Sequence, residues 1–358
     1  MKAGLFLLLV LLSAFISCSD KVKTEVKETK LEFETLFVDG LMIGKATEML
    51  LVDSNLLIAD RQADSLFHWV NLNKLTSKDV GQIGQGPGEF LHFDNFYHIN
   101  NNCGFYDRRL RTFNDIIFLK DRILLNKNVR YESIHYRLVP TAFNTFVGIG
   151  PYEKGLFHIL DIKGTAVDTI GEQPYRDEAE RNVPELARAM AYQGKIIISP
   201  KGNSLVHAIF MSPIISFYKL SLANIELLKS HVDCYPTYKP ELGNNSYASA
   251  MSRSNILGFI DVAVTDRYVY ALLSGKSTRE SGLSAFTGNV IRVYDWNGDL
   301  LKIYTCNTDL TALCVSADDS IMYAIGLVED YELLVAKLLQ KSEMRKDIVI
   351  ELSYKGFG

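Results

Sequence analysis

The stretch Met49-Leu50-Leu51-Val52-Asp53-Ser54-Asn55-Leu56-Leu57-Ile58-Ala59 holds two short runs of strand formers around a polar bend. Asp, Ser and Asn tolerate the turn geometry that a tight hairpin demands, while aliphatic flanks pack as paired strands. The arrangement returns at Tyr97 to Tyr106 around Asn100-Asn101-Asn102, and at Ile196 to Ala208 around Pro200-Lys201-Gly202-Asn203. It returns again at Val262 to Ala271 around Asp266-Arg267, and at Cys314 to Ala324 around Asp318-Asp319-Ser320. Third and fourth strand-like runs follow, as in Asp64 to Asn71 with Lys78 to Ile83, Gly155 to Gly164 with Ala166 to Ile170, and Val290 to Asp295 with Leu300 to Tyr304. A unit that recurs with the same turn chemistry is a structural repeat.

Four antiparallel strands per unit make the blade of a β-propeller. First strands fall near residues 47, 96, 134, 195, 259 and 311, a repeat of about 53 residues. The fold expected is therefore all-β: a six-bladed β-propeller of four-stranded antiparallel blades, spanning 31–358 as one domain. An isolated blade would leave both faces and both edges open, whereas a ring buries the faces and leaves only short edges. Ile134 to Val139 makes a poor first strand for the third blade. Uneven spacing has visible causes. Tyr175 to Met190 reads as a short helical insert. Tyr235 to Asn255, with Pro236 and Pro240, reads as a long loop, and Lys276 to Gly288 as another. All three are expected to elaborate one rim. Either Leu31 to Val38 or Asp347 to Leu352 would supply the strand that closes the last blade.

The N-terminus carries an address. Met1-Lys2 precedes an apolar run from Leu5 to Ile16, too short for a permanent span of ~20 residues, and the run ends Phe15-Ile16-Ser17-Cys18. A positive residue, an apolar core and small residues are the layout of a secretory signal. The ending resembles the bacterial lipobox, with Phe15 in place of the usual Leu. Residues 1–17 are read as a lipoprotein signal peptide, Cys18 as the lipidated residue, and 18–30, rich in alternating Lys and Glu, as a flexible tether. The expected location is the outer membrane, facing periplasm or cell surface. The remaining cysteines (Cys103, Cys234, Cys306 and Cys314) form no C-x-x-C and read as buried free thiols, with Cys306 and Cys314 the one pair close enough in sequence to consider for a bridge. At 358 residues, net charge −4 and 47% apolar content, the chain is neither disordered nor basic enough to wrap nucleic acid.

Gly81-Gln82-Ile83-Gly84-Gln85-Gly86-Pro87-Gly88-Glu89-Phe90 closes the first unit. Together with Ile198 to Gly202, Ser274-Gly275-Lys276 and Val293 to Leu300, it resembles the six-bladed, TolB-like (NHL-related) β-propeller lipoproteins of Bacteroidetes. The resemblance runs over roughly residues 31–340. It implies fold and class, and brings no catalytic residues. Read physically, Gly84, Gly86, Pro87 and Gly88 form a turn motif, Glu89 accepts backbone N–H groups from it, and Phe90 enters the core between blades. A phosphate cradle would need a following helix and a free N–H where Pro87 stands.

Candidates for chemistry are sparse. Nothing matches a G-x-S-x-G or H-E-x-x-H pattern. His92, Asp94 and His98 have the residue types of a metal site, but no flanking ligand cluster repeats around them. His158 and His207 read as satisfied core groups. Asp60-Arg61 and Asp107-Arg108-Arg109 recur at one blade position; Arg61, Arg108 and Arg109 are candidates for an anion-binding rim, against the plainer reading of a repeated Asp turn with solvated arginines. Asp64-Ser65-Leu66, Asp168-Thr169-Ile170 and Asp319-Ser320-Ile321 resemble the short O-glycosylation acceptor of that phylum. The function expected is a binding module for a protein, peptide or glycan, with no catalytic residue, cofactor or metal assigned. The alternative is a metal-assisted lyase, lactonase or glycosidase at the axial mouth, where Glu48, Asp94 and Asp261 would supply carboxylates around a divalent ion.

Overall fold

The computed structural model describes residues 26–222, 224–243 and 246–338; the leader, Cys18 and Asp347 to Leu352 lie outside the described residues. Six antiparallel blades follow one another. Blade one is Ala46–Val52, Asn55–Asp60, Ser65–Asn71 and Thr76–Gln82. Blade two is Asn95–Ile99, Asn102–Asp107, Thr112–Phe118 and Ile123–Arg130. Blade three is Arg137–Pro140, Phe146–Ile149, Phe157–Leu160 and Ala166–Ile170. Its first strand is the short, late piece that the poor strand formers around Ile134 allow. Blade four is Gly194–Ile198, Ser204–Ile209, Ile214–Leu220 and Ile225–Val232.

Blades five and six share one long strand. Phe259–Val264, Tyr268–Leu273 and Gly288–Asp295 pair in order, and the early part of Leu300–Val315 completes blade five. From Leu310 onward the same strand becomes the innermost strand of blade six, pairing with Ile321–Leu327, which pairs with Tyr331–Lys337. The chain's beginning closes the ring: Glu34 lies opposite Val335 and Thr35 opposite Leu334. Lys27–Leu31 runs parallel to Lys302 through Cys306, so the last residues of the expected tether belong to a sheet.

The bends repay their composition. Asp53, Asn100 and Asp319 adopt φ of 53, 52 and 60°, and Gly202 one of 70°; short polar side chains and glycine enter this left-handed region at least cost. Between blades the apolar faces interlock. Phe67, Phe90, Phe93, Phe96 and Phe105 form an aromatic seam between blades one and two, with Phe67 and Phe105 edge to face at 5.1 Å. At the closure, Met49, Leu56 and Ile58 pack on Ala312, Ile325 and Leu333.

Two expected loops are structured. Residues 235–255 contain the hairpin Tyr238–Gly243 and Ser246–Met251, because Pro240 occupies an edge strand where its missing N–H is tolerated. Residues 276–288 contain a helical turn and a 3-10 turn, Thr278–Ser281 and Gly282–Phe286. The insert near 175–190 is helical: α1, Glu178–Arg181, capped by the Asp177 side chain, and α2, Glu185–Ala191. Among the described residues, no helix is long and apolar enough to cross a membrane.

Candidate ligand-binding face

In an antiparallel blade, the connection after the second strand and the connection leading to the next first strand open on the same face. All three insertions occupy such connections, so they crowd one mouth of the ring above blades four and five. They touch: Ser249 Oγ donates to the Ala187 carbonyl at 2.7 Å, and the Arg279 N–H to the Arg253 carbonyl at 2.9 Å. Tyr192, Ile209, Ile214, Tyr238 and Met251 seal the joint. The result is a half-collar, leaving the mouth open above blades one to three.

On that open side the recurring Asp-Arg pairs do two jobs. Asp60 accepts the N–H groups of Gly44, Lys45 and Gln62 at 2.6–2.8 Å. Asp107 accepts those of Leu91, His92, Arg109 and Leu110 at 2.8–3.0 Å. In both blades the carboxylate reaches back 16 and 15 residues, tying the entry of the first strand to the exit of the second. That exit is where the arginines emerge. Arg61, Arg109 and His92 line one cavity of about 240 Å³ between blades one and two, floored by Ala59, Leu66 and Phe93. Arg108 stands beside it, paired with Asp94 at 3.4 Å and lying over the Tyr136 ring. Arg137, at the start of blade three, is an additional cation that the sequence pattern did not single out; its place beside the others arises only when the blades close. Although Arg61 is exposed, desolvation by the surrounding protein and the Arg137 and Arg108 charges lower its pKa, with Asp94 and Glu48 opposing. No side-chain hydrogen bond or ion pair is found for Arg61, Arg109 or Arg137 among the described residues.

Deeper on the axis, Lys195 of blade four meets Asp261 of blade five at 2.6 Å and Glu48 of blade one at 3.2 Å. Glu48 also accepts the Phe96 N–H of blade two, and Asp261 the Leu313 N–H of blade six. Blade three joins through Asn95, whose amide bonds both the N–H and the carbonyl of Leu138. Two of the three carboxylates considered for a metal thus converge, but around an ammonium. Asp94 sits apart with His92 (3.1 Å) and Arg108, and His98 lines the axial channel instead. Among the described residues no group of three His, Cys, Asp or Glu is placed to hold a metal ion.

The glycine-rich turn has an internal logic. The Gly86 N–H donates to Glu89 Oε2 at 2.7 Å, and Gly84 and Phe90 pair through their backbones. A Cβ at Gly84 would lie 2.0 Å from the Glu89 carboxylate, while Gly88 has φ of 79°. Phe90 is fully buried in the aromatic seam.

A family model described as TolB-like 6-blade propeller-like matches residues 21–318. The chain belongs to the TolB-like six-bladed propeller family. Among solved structures, this TolB-like propeller is similar to a candidate exported protein from Bacteroides fragilis, at 13% identity and a TM-score of 0.52, covering 89% of this chain and 98% of that one. It is also similar to the Cps50 (Swd1) β-propeller domain of Myceliophteria thermophila, at 11% identity and a TM-score of 0.44, covering 84% and 98%. No curated protein sequence matches significantly.

The other groups singled out from the sequence lie elsewhere in the TolB-like ring. His207 is buried, and its Nε2 has no hydrogen-bond partner, which corrects its reading as a satisfied core group; burial lowers its pKa to about 4. His158 is half-buried, stacked on Tyr152 and bonded to the Lys154 carbonyl. Cys103, Cys234, Cys306 and Cys314 are free thiols, the first, third and fourth buried as expected and Cys234 only half-buried; burial pushes Cys103 and Cys306 up to about 12, which disfavours the thiolate at both. Of the three short acceptor-like triplets, Ser65 is buried, Ser320 is bonded to Ser316 and Asp318, and Thr169 is exposed.

His68 gives the Asp60 cradle a pH dependence. Its ring bridges Asp60 at 3.2 Å and Asp79 at 2.7 Å. Burial disfavours the charged ring, but the two carboxylates outweigh it and raise the His68 pKa. Burial likewise opposes ionised Asp60, yet His68 and the backbone donors hold that carboxyl well below its usual range. The raised His68 pKa stabilises the fold fully below about pH 6.5, the unfolded value, and that stabilisation is lost as pH rises through the folded pKa. Asp60 acts oppositely, losing its contribution only in strong acid. Comparing wild type with His68→Asn by urea unfolding, the stability gap is expected to be widest near pH 6 and to shrink above neutrality; a gap that grows toward pH 9 would contradict the bridging arrangement.

Proposed function

We propose that this TolB-like propeller is an exported, lipid-anchored binding module of the cell envelope, held at the outer membrane through Cys18 and recognising a protein, peptide or glycan through the collared mouth. The observation that carries the reading is the asymmetry of the ring. Every insertion and all of the unpaired arginines described above lie on one face, and a scaffold places recognition where its connections are elaborated. The lipobox-like Ile16-Ser17-Cys18 supports export and anchoring, as does the fold shared with a candidate exported protein. Multiple acyl chains at ~0.8 kcal/mol per buried CH₂ would make attachment stable.

Two measurements test it. Wild type should sediment with membranes and Cys18→Ser should move to the soluble fraction; continued sedimentation refutes the anchor. A photo-crosslinking residue at Leu283, 85% exposed on the collar, should give discrete adducts in intact envelopes, and one at Leu222, 78% exposed on the opposite face, should not. Equal labelling at both positions refutes a single recognition face.

A further inference from the structure

We propose that the cavity between blades one and two is a receptor for a carboxylate attached to a compact apolar group, such as the end of a peptide terminating in Phe or Leu. The inference rests on the binding-module reading and names the chemistry of one ligand class at that face. The cavity has two unlike parts. Its floor is Ala59, Leu66 and Phe93, all buried hydrophobics, and its rim carries Arg61 from blade one and Arg109 and His92 from blade two.

The lining carboxylate, Asp60, does not compete for those cations. Its oxygens are committed to three backbone N–H groups and His68. His92 is likewise held by Asp94. Arg61 and Arg109 are exposed, each a planar five-donor fork suited to bidentate capture of a carboxylate. Arg137 acts on Arg61 as a further positive charge, while Arg108 is paired with Asp94, so in a chain whose net charge is −4 an arriving anion is met here by Arg61 and Arg109.

Size selects the apolar part. A cavity of ~150 Å³ admits a benzene ring, so about 240 Å³ accommodates one aromatic or branched aliphatic side chain and excludes a folded domain. The apolar floor argues against inorganic phosphate or sulfate, which would leave Leu66 and Phe93 uncovered.

Calorimetric titration of the purified full-length protein provides the test, using N-acetyl-phenylalanine, its amide, a hexapeptide ending in Phe with free or amidated C-terminus, acetate and inorganic phosphate. Both free Phe acids should bind with submillimolar affinity, and amidation should weaken each at least tenfold. If the small acid binds and the hexapeptide does not, the ligand is a free acid rather than a chain end; the receptor chemistry stands in either case. Arg61→Gln and Arg109→Gln should each weaken binding at least fivefold while melting like wild type, and Lys229→Gln, on the outer strand of blade four, should not. Binding indifferent to amidation or to both arginine substitutions, phosphate binding as tightly as the Phe acids, or no binding by either acid would overturn the proposal. Collar crosslinking at Leu283 reads out separately, so loss of this ligand would leave the broader reading standing.

Discussion

Replacing Lys195 by Met is expected to destabilise the protein by about 3 kcal/mol, the low end for removing one partner of a buried ion pair. The reason lies in what remains. Asp261 is 1% exposed and Glu48 14%, and without the ammonium the two carboxylates face each other across the axis with no counter-charge. Methionine fills most of the lysine stem, so the loss reports charge rather than volume. Urea unfolding measures it. The companion triple variant, Lys195→Met with Glu48→Gln and Asp261→Asn, should recover at least half of the stability, because the uncompensated charges are gone while the amides still accept the Phe96 and Leu313 N–H groups. A single variant as stable as wild type would show that the axial node does not hold the blades together.

Asp107→Ala carries the second large effect, also about 3 kcal/mol. The carboxylate is fully buried and accepts four backbone N–H bonds; bonds to a charged group contribute ~1.5–3 kcal/mol each, though not additively. Alanine would leave Leu91, His92, Arg109 and Leu110 N–H groups to find water. Asp107→Asn keeps one accepting oxygen and should cost less. Asp295→Ala makes the matched comparison: Asp295 accepts the Asn297 and Asp299 N–H groups in an exposed turn, where water replaces the lost acceptor and the cost should stay below about 1 kcal/mol. Equal losses at the two positions would mean that the Asp107 cradle is an ordinary turn.

The contrast shows where reading residues in order succeeds. Asp53, Asn100 and Asp319 announce their hairpins because turn chemistry is local: a polar residue with positive φ, flanked by strand formers, needs no distant partner to be recognised. The cause of uneven blade spacing at 175–190 was equally local, since a capping Asp177 precedes acidic Glu178 and Glu180. Residues 235–255 failed the same treatment. Pro236 and Pro240 argue for a loop when considered alone, and a hairpin forms there because it is packed by Tyr192 and Ile214 from elsewhere in the chain.

Site residues divide along the same line. The recurrence of Asp60-Arg61 and Asp107-Arg108-Arg109 was visible, as was the ambiguity between turn and receptor. Both descriptions apply, because the aspartates are consumed by backbone donors and the arginines are thereby left to project. Arg137 could not be found this way. It belongs to no repeat and joins Arg61 only through the approach of blades one and three around the axis.

By itself, then, the order of residues determined the blade and the number of blades, since strand alternation and turn residues depend on neighbours within a dozen positions. Only the tertiary structure decided that Glu34 and Thr35 close the ring, that Glu48 and Asp261 clamp Lys195, and that Arg61, Arg109 and His92 share a cavity. Those relations join residues tens to hundreds of positions apart. They are fixed by the apolar seams that bring the blades together, and the polar groups meet at the axis as a consequence of that packing.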